Sequence, residues 1–402
     1  MRKDISFVEF VLLATALMSL VGLATDMMLP ALEELAYFFD LEAENDRQWI
    51  ITALLIGIGV GQTFFGPLSD RFGRKPPIIV GLILFALGSA LCAIASSFET
   101  LLVGRVIQGI GVAGPRIVSV AIVRDQFQGA KMAQVMSLIM GAFIMMPVLA
   151  PTAGQVLLWA VPWQALFVIL LVVAVFLLLW FHMRMGETLV VPKSTDLNEI
   201  KQSFRAFFAS PVSVGYTMAS ALNYGAVLGY INTSQQIMQH HFLVLDSYAF
   251  WFGLCALFIS GAIFWNAFLV TRIRPKTICQ SALVAQCLGA TAFVGWYFVA
   301  QSVSFSAWIS FCCVSLFLSG LTFGNFSAIA LEPMGKGAGL AVTITATMNT
   351  LFGITVAVII GLSYAGTVLP IILGFAVTSF LAILCIRWAD LAHKKSSSVT
   401  VP

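Results

Sequence analysis

Three charged residues stand out within long apolar runs, where a charge needs a reason. Asp26 lies in LATDMMLP, Arg105 lies in LLVGRVIQGIG, and Arg116 follows Pro115 in the same run. A charge in hydrocarbon costs roughly 3 kcal/mol on insertion scales and usually marks function. Arg105 and Arg116 are eleven residues apart. In an α-helix that is three turns plus about 20°, so they share a face about 16 Å apart. A face with two guanidinium groups lines a polar cavity, not lipid. A carboxyl group takes up and releases a proton, whereas a guanidinium stays charged. Burial favours the neutral acid, and a nearby cation favours the carboxylate. A protein that alternates these surroundings for Asp26 can bind a proton on one side and release it on the other. That chemistry is proton coupling, with Asp26 as the proton site and Arg105 as its partner. Three plainer assignments stay open: Asp26 as an interfacial residue before Pro30, Arg105 as a purely structural cavity residue, and Arg116 as a bond to carbonyls freed by Pro115.

A second concentration of charge is GPLSDRFGRKP, residues 66–76, between two apolar runs. Asp70, Arg71, Arg74 and Lys75 fall within six residues, flanked by Gly66 and Gly73. TRIRPK, with Arg272, Arg274 and Lys276, repeats the basic part about half a chain later, without the Asp. Further polar groups could line a cavity: Gln62, then Asn223, Tyr224, Tyr230, Asn232 and Gln235 in one run, and Asn325 in another. Amides and aromatics beside apolar walls, with Arg116, suit an amphipathic organic substrate. Each polar group alone could equally be a helix–helix hydrogen bond.

The elements that must position these residues follow from composition. The chain of 402 residues is 60% hydrophobic and 10% charged. Soluble domains are about half apolar and about a quarter charged, so the bilayer is the expected solvent. Apolar runs occupy about 6–29, 48–68, 77–96, 98–123, 132–157, 162–183, 212–238, 247–270, 277–300, 304–330, 338–362 and 366–389. Runs of about 20 residues span as helices, which satisfy their own backbone. They are too long and too uniformly apolar for barrel strands. The expected fold is an all-α integral membrane protein of twelve transmembrane helices in two pseudo-symmetric six-helix halves. The first half covers 1–184, a linker with an interfacial helix covers 185–210, and the second half covers 211–402. Many transporters are built this way.

Of the 21 Lys and Arg residues, all but Arg47, Arg105 and Arg116 fall on one side of this topology. The positive-inside rule makes that side cytoplasmic, with both termini on it. Pro147 and Pro151 in MMPVLAPTAGQ should bend the fifth span. In the linker, DLNEIKQSFRAFF offers Asp196 as a cap and Glu199 as its capping-box partner. Leu197, Ile200, Phe204, Phe207 and Phe208 recur at helical spacing, with Lys201 and Arg205 expected to point elsewhere, as in a helix lying on a membrane.

Other function classes find little support. The seven cysteines lie in apolar runs without a Cys-x-x-Cys pair, and the four histidines lie at span ends or in loops. No metal site, cofactor or enzyme active site is expected. The basic residues sit in short loops where topology accounts for them, so no nucleic-acid partner is expected. The expected partners are a small-molecule substrate, protons and the lipid bilayer, with a monomer as the default.

These residues together resemble the major facilitator superfamily. Gly66, Asp70, Arg71, Gly73, Arg74 and Lys75 match its loop signature Gly-x-x-x-Asp-Arg-x-Gly-Arg-Lys/Arg, and the resemblance covers nearly the whole chain. Arg105 and Gly109 match the span-four motif of proton-driven members. DMMLPAL with GQTFFGPLSD resembles the bicyclomycin/chloramphenicol-resistance subfamily of drug:proton antiporters, which implies export of drug-like compounds from the inner membrane. The antiporters' span-five Gly-Pro-x-x-Gly-Gly is here Ala150-Pro151-Thr152-Ala153-Gly154-Gln155. In the family the loop signature is a latch. The resemblance implies that Asp70 sits near the start of span eleven, close to Gly337. It also implies that the loop arginines pair with an acid at the end of span four, where Asp125 fits. A proton-coupled carrier of a metabolite such as a sugar, and a receptor using the same fold without transport, are the alternatives.

Overall fold

The computed structural model describes residues 5–43, 45–127, 129–189, 197–244, 247–300 and 302–399. The chain forms two compact units, Met1–Thr195 and Asp196–Pro402. Among the described residues, eleven helices are long and apolar enough to cross a membrane.

The first unit contains α1 (Phe7–Asp26), a 3-10 turn (Leu29–Ala31), α2 (Leu32–Phe38), α3 (Gln48–Phe72), α4 (Lys75–Ala93) and α5 (Phe98–Gln126). It continues with α6 (Gly129–Ile144), α7 (Met146–Leu158) and α8 (Gln164–Arg184). Serine caps start α1 and α5, where Ser6 and Ser97 accept hydrogen bonds from the amides of Glu9 and Thr100. The first apolar run goes further than residue 29. It passes through the turn into α2 because Leu32 and Leu35 are buried, while Glu33 and Glu34 stay exposed on the other side.

Helix α5 is the axis of this unit, because glycines bring it against its neighbours backbone to backbone. A Cβ on Gly109 would sit 2.1 Å from the Leu54 carbonyl of α3, and one on Gly111 would sit 2.3 Å from the Phe85 amide of α4. Small residues permit such close approach in helix pairs within membranes. The fifth apolar run is broken, not smoothly bent. α6 ends at Ile144 and α7 starts at Met146, with Pro147 in its first turn and Pro151 inside it. Proline lacks an N–H and clashes with the carbonyl four residues back, so the helix restarts there. The Met145 carbonyl instead accepts from Val148 and Leu149.

The second unit contains α9 (Leu197–Ala209), α10 (Pro211–Gln236), a π-helical turn (Ile237–His241), α11 (Tyr248–Leu269) and α12 (Pro275–Ala300). It continues with α13 (Phe305–Gly320), α14 (Phe323–Leu331), a 3-10 turn (Glu332–Gly337), α15 (Ala338–Leu362) and α16 (Leu369–Val399). Helix α10 has spanning length, at 26 residues, but is polar along much of it and buried on nearly all sides. That is why it falls outside the eleven.

Helix α9 belongs to this second unit. Phe207 is fully buried with Ala341 and Ile344 of α15. Phe204 and Phe208 stay exposed and stack with ring centroids 6.4 Å apart. Lys201 and Arg205 are exposed too. At about 100° per residue Lys201 lies about 20° from Phe208, so the basic side chains flank the exposed rings. The proposed cap Asp196 lies outside the described residues, as do the side chains of Leu197, Glu199 and Ile200.

Candidate functional site

The tight packing of α5 fixes where Arg105 can reach. Its side chain is 0% exposed. Nε donates to the Ile50 carbonyl of α3 at 2.9 Å, and Nη1 donates to the Ala24 carbonyl of α1 at 3.0 Å. Nη1 also donates to Gln108 Oε1 at 2.7 Å. Gln108 Nε2 passes the chain on to Ser89 Oγ of α4 at 2.8 Å. The guanidinium carbon lies 5.8 Å from the centre of the Phe167 ring of α8, within cation–π range. Nη2 has no hydrogen-bond partner among the described residues. A buried guanidinium is therefore held by neutral acceptors from three helices, linked through Gln108 to a fourth, with a ring from a fifth.

Asp26 is 6% exposed, buried within the first unit. Among the described residues its carboxyl has no hydrogen bond or ion pair. The structure brings Arg105 to the carbonyl of Ala24, two residues before Asp26, and not to the carboxylate itself. Asp26 Oδ2 lies 3.9 Å from where a Cβ on Gly22 would be, on the α1 face that meets Met146 at the start of α7. Gly154, the glycine retained from the span-five motif, packs on the next turn. A Cβ there would sit 2.2 Å from the Met27 carbonyl. The broken fifth span thus covers the end of α1 that carries Asp26.

Arg116 is half-buried and has no hydrogen-bond or ion-pair partner among the described residues. The bond to carbonyls freed by Pro115 is not formed.

The charged loop between α3 and α4 forms a closed network. Arg74 Nη1 donates to Asp70 at 2.6 Å and to Ser69 Oγ at 2.9 Å, and its Nε donates to Asp125 at 2.7 Å. Arg74 is thus the arginine that meets Asp125. Arg71 is exposed, with its guanidinium 5.1 Å from the Phe72 ring centre. The Gly66 carbonyl accepts from Ser69. Gly73 has φ +95°, and a Cβ on it would sit 2.5 Å from Glu187 Oε2, so both backbone and space require glycine. Lys75 Nζ donates to the His182 carbonyl at the end of α8.

Glu187 completes this network and is the residue that sequence reasoning missed. It accepts from the amide of Arg74, the residue capping α4, at 2.7 Å and from that of Lys75, the first residue of α4, at 3.0 Å. It also accepts from the amides of Thr188 and Leu189, each at 2.9 Å. Burial pushes the Glu187 carboxyl up, but the four amides outweigh it and hold the group below its ordinary value. A signal did exist in the sequence. α4 begins KPP without a preceding Ser, Thr, Asp or Asn, so the Lys75 amide, the one N–H its first three residues offer, needed an acceptor from elsewhere. Glu9 accepts from Arg184 and Trp180 and ties α1 to α8.

In the second unit, Asn223 bonds Ser319 and Thr322, and Asn325 bonds Asn266. Both are helix–helix bonds. Tyr224 packs against Phe323, and Tyr230 stacks on Phe252 at 4°. Gln62 is buried and partnered. Asn232 Oδ1 and both polar atoms of Gln235 are buried without hydrogen-bond partners among the described residues. No group of three or more potential metal ligands occurs among the described residues.

Comparison with known proteins agrees with this architecture. Residues 14–361 match the family model described as Major Facilitator Superfamily. The multidrug resistance protein MdtL of Klebsiella pneumoniae is 29% identical over 387 residues, covering 94% of this chain and 95% of the relative. An MFS-type transporter of Bacillus subtilis, YdgK, is 27% identical over 352 residues, covering 84% of this chain and 85% of the relative. Among solved structures, a D-xylose–proton symporter superposes with a TM-score of 0.75 at 16% identity, covering 96% of this chain and 97% of that one. The human organic anion transporter MFSD10 gives a TM-score of 0.64 at 18% identity, with 94% and 98% covered. These structural likenesses are of fold alone. The matched family model spans most of the chain, and with the helices and the loop network in place, this protein belongs to the major facilitator superfamily.

Proposed function

We propose that this carrier exports amphipathic, drug-like molecules in exchange for protons, as a monomer in the cell inner membrane with both termini cytoplasmic. Family membership makes it a multi-pass membrane transporter of small molecules and not an enzyme. The observation that carries proton exchange is Asp26, a buried carboxyl without a partner on the segment that Arg105 grips. A carboxyl in that position gains a cationic neighbour through a small shift of α1 and loses it on return. The relatives named as multidrug resistance proteins support the substrate class. In this reading the Asp70–Arg74–Asp125 network, with Gly66, Gly73, Arg71 and Lys75, is the cytoplasmic latch. It holds the ends of α3, α4 and α5 as one piece.

Cells expressing the protein are to be tested against a broad panel of drugs, with and without a proton uncoupler. The expected result is raised resistance to some amphipathic compounds, abolished by the uncoupler. Unchanged sensitivity across the panel, or resistance that the uncoupler leaves intact, would contradict the proposal.

A further inference from the structure

The charges within the spans do not balance. Among the described residues, the Asp, Glu, Lys and Arg side chains deepest within the candidate spans are Asp26, Arg105 and Arg116. Of the charges nearer the ends, Glu9 pairs with Arg184, Asp70 and Asp125 share Arg74, and Asp390 pairs with Lys276, while Glu34, Arg124 and Arg387 are exposed. Arg105 and Arg116 have no carboxylate partner among the described residues. The interior set therefore carries one net positive charge with Asp26 ionised and two with it protonated.

The two arginines differ in what they have left to give. Arg105 is fully buried and committed to three acceptors. Arg116 is half-buried, on the same face of α5, with its donors uncommitted among the described residues. Charges in a low-dielectric interior interact far more strongly than in water. A lipophilic cation meets net repulsion there in both states of Asp26. A guanidinium presents a planar fork of donors that matches a carboxylate or another electronegative group.

We propose that the transported molecules are neutral or anionic, that lipophilic cations are excluded, and that Arg116 binds the anionic or electronegative group of the substrate. This rests on the chain being a carrier of organic molecules, but not on proton exchange.

The test uses purified full-length protein in nanodiscs and three dansyl probes on one scaffold: a neutral butylamide, a glycine carboxylate and a quaternary ammonium. Binding is read by dansyl fluorescence. The neutral and carboxylate probes should bind, with the quaternary probe weaker by about tenfold or more. Arg116→Gln should weaken the carboxylate probe about tenfold and the neutral probe by no more than about twofold. Arg116→Lys, which keeps the charge, should retain the preference. Equal affinity for the cation, no binding of the carboxylate, or unchanged carboxylate affinity in a monodisperse Arg116→Gln protein would overturn the proposal. No readout here uses a proton gradient. A protein with this order of affinities but no pH-driven flux keeps the charge preference and loses proton exchange. One that drives cations against a pH gradient does the reverse.

Discussion

Glu187 shows how a single residue outside any apolar run fixes the most charged loop in the chain. Its carboxylate accepts from the amides of Arg74 and Lys75 at the start of α4, and Gly73 leaves it the space to do so. The contribution has a definite sign with pH. The group sits below the usual carboxylate value of 4.5 when folded. The cap is therefore fully present above that pH and is lost as pH falls below it through the folded value. Glu187→Ala should remove about 1 kcal/mol of local stability, as other lost helix caps do. Hydrogen exchange at the Arg74 and Lys75 amides, corrected for intrinsic rate, checks this. Wild-type protection should fall below pH 4.5, and the variant should be unprotected throughout. A variant protected as well as wild type would remove the cap from the account. At this scale the sequence displayed which residues were unusual but not what they touch. Arg105 stood out as a charge in an apolar run, yet its acceptors are mostly carbonyls, and every residue has one. Asp125 was named as the partner of the loop because the family resemblance places an acid at the end of span four.

At the scale of elements, α5 is positioned by contact between backbones, so its glycines should be intolerant in proportion to that closeness. Gly109→Ala would place a methyl group 2.1 Å from the Leu54 carbonyl. Separating the helices to admit it should cost roughly 1–3 kcal/mol, as overpacking does. Gly289→Ala on α12 meets nothing within 4 Å and should be neutral or stabilising by up to about 1 kcal/mol. Thermal melting of the two variants in one detergent compares them directly, and equal melting points would refute the packing argument. Helix positions were legible because apolar length alone sets them. The break at Met145 was foreshadowed by two prolines. The extension of the first run into α2 was not, because Glu33 and Glu34 masked the buried Leu32 and Leu35 between and beside them.

At the scale of the whole molecule, the two units treat polarity differently. The first keeps ionisable groups inside, at Asp26, Arg105 and Arg116. The second keeps amides and hydroxyls, on α10 above all, and Asn232 and Gln235 there are buried without partners among the described residues. The basic echo at TRIRPK lacks an Asp, but Lys276 pairs with Asp390 of α16, so the second unit anchors its loop to its own last helix. The loop signature was readable because its residue types are rare in so apolar a chain. The asymmetry between the units was readable only in part, because a buried amide looks the same in sequence whether or not it is bonded.

The central claim is that Asp26 carries the proton. It is tested most directly in proteoliposomes loaded with a pH-sensitive dye, by adding the neutral dansyl probe to wild-type and Asp26→Asn protein under an imposed pH gradient. Wild type should couple probe movement to proton flux, and Asp26→Asn should bind the probe without moving protons. Undiminished probe-dependent proton flux in Asp26→Asn would contradict the account.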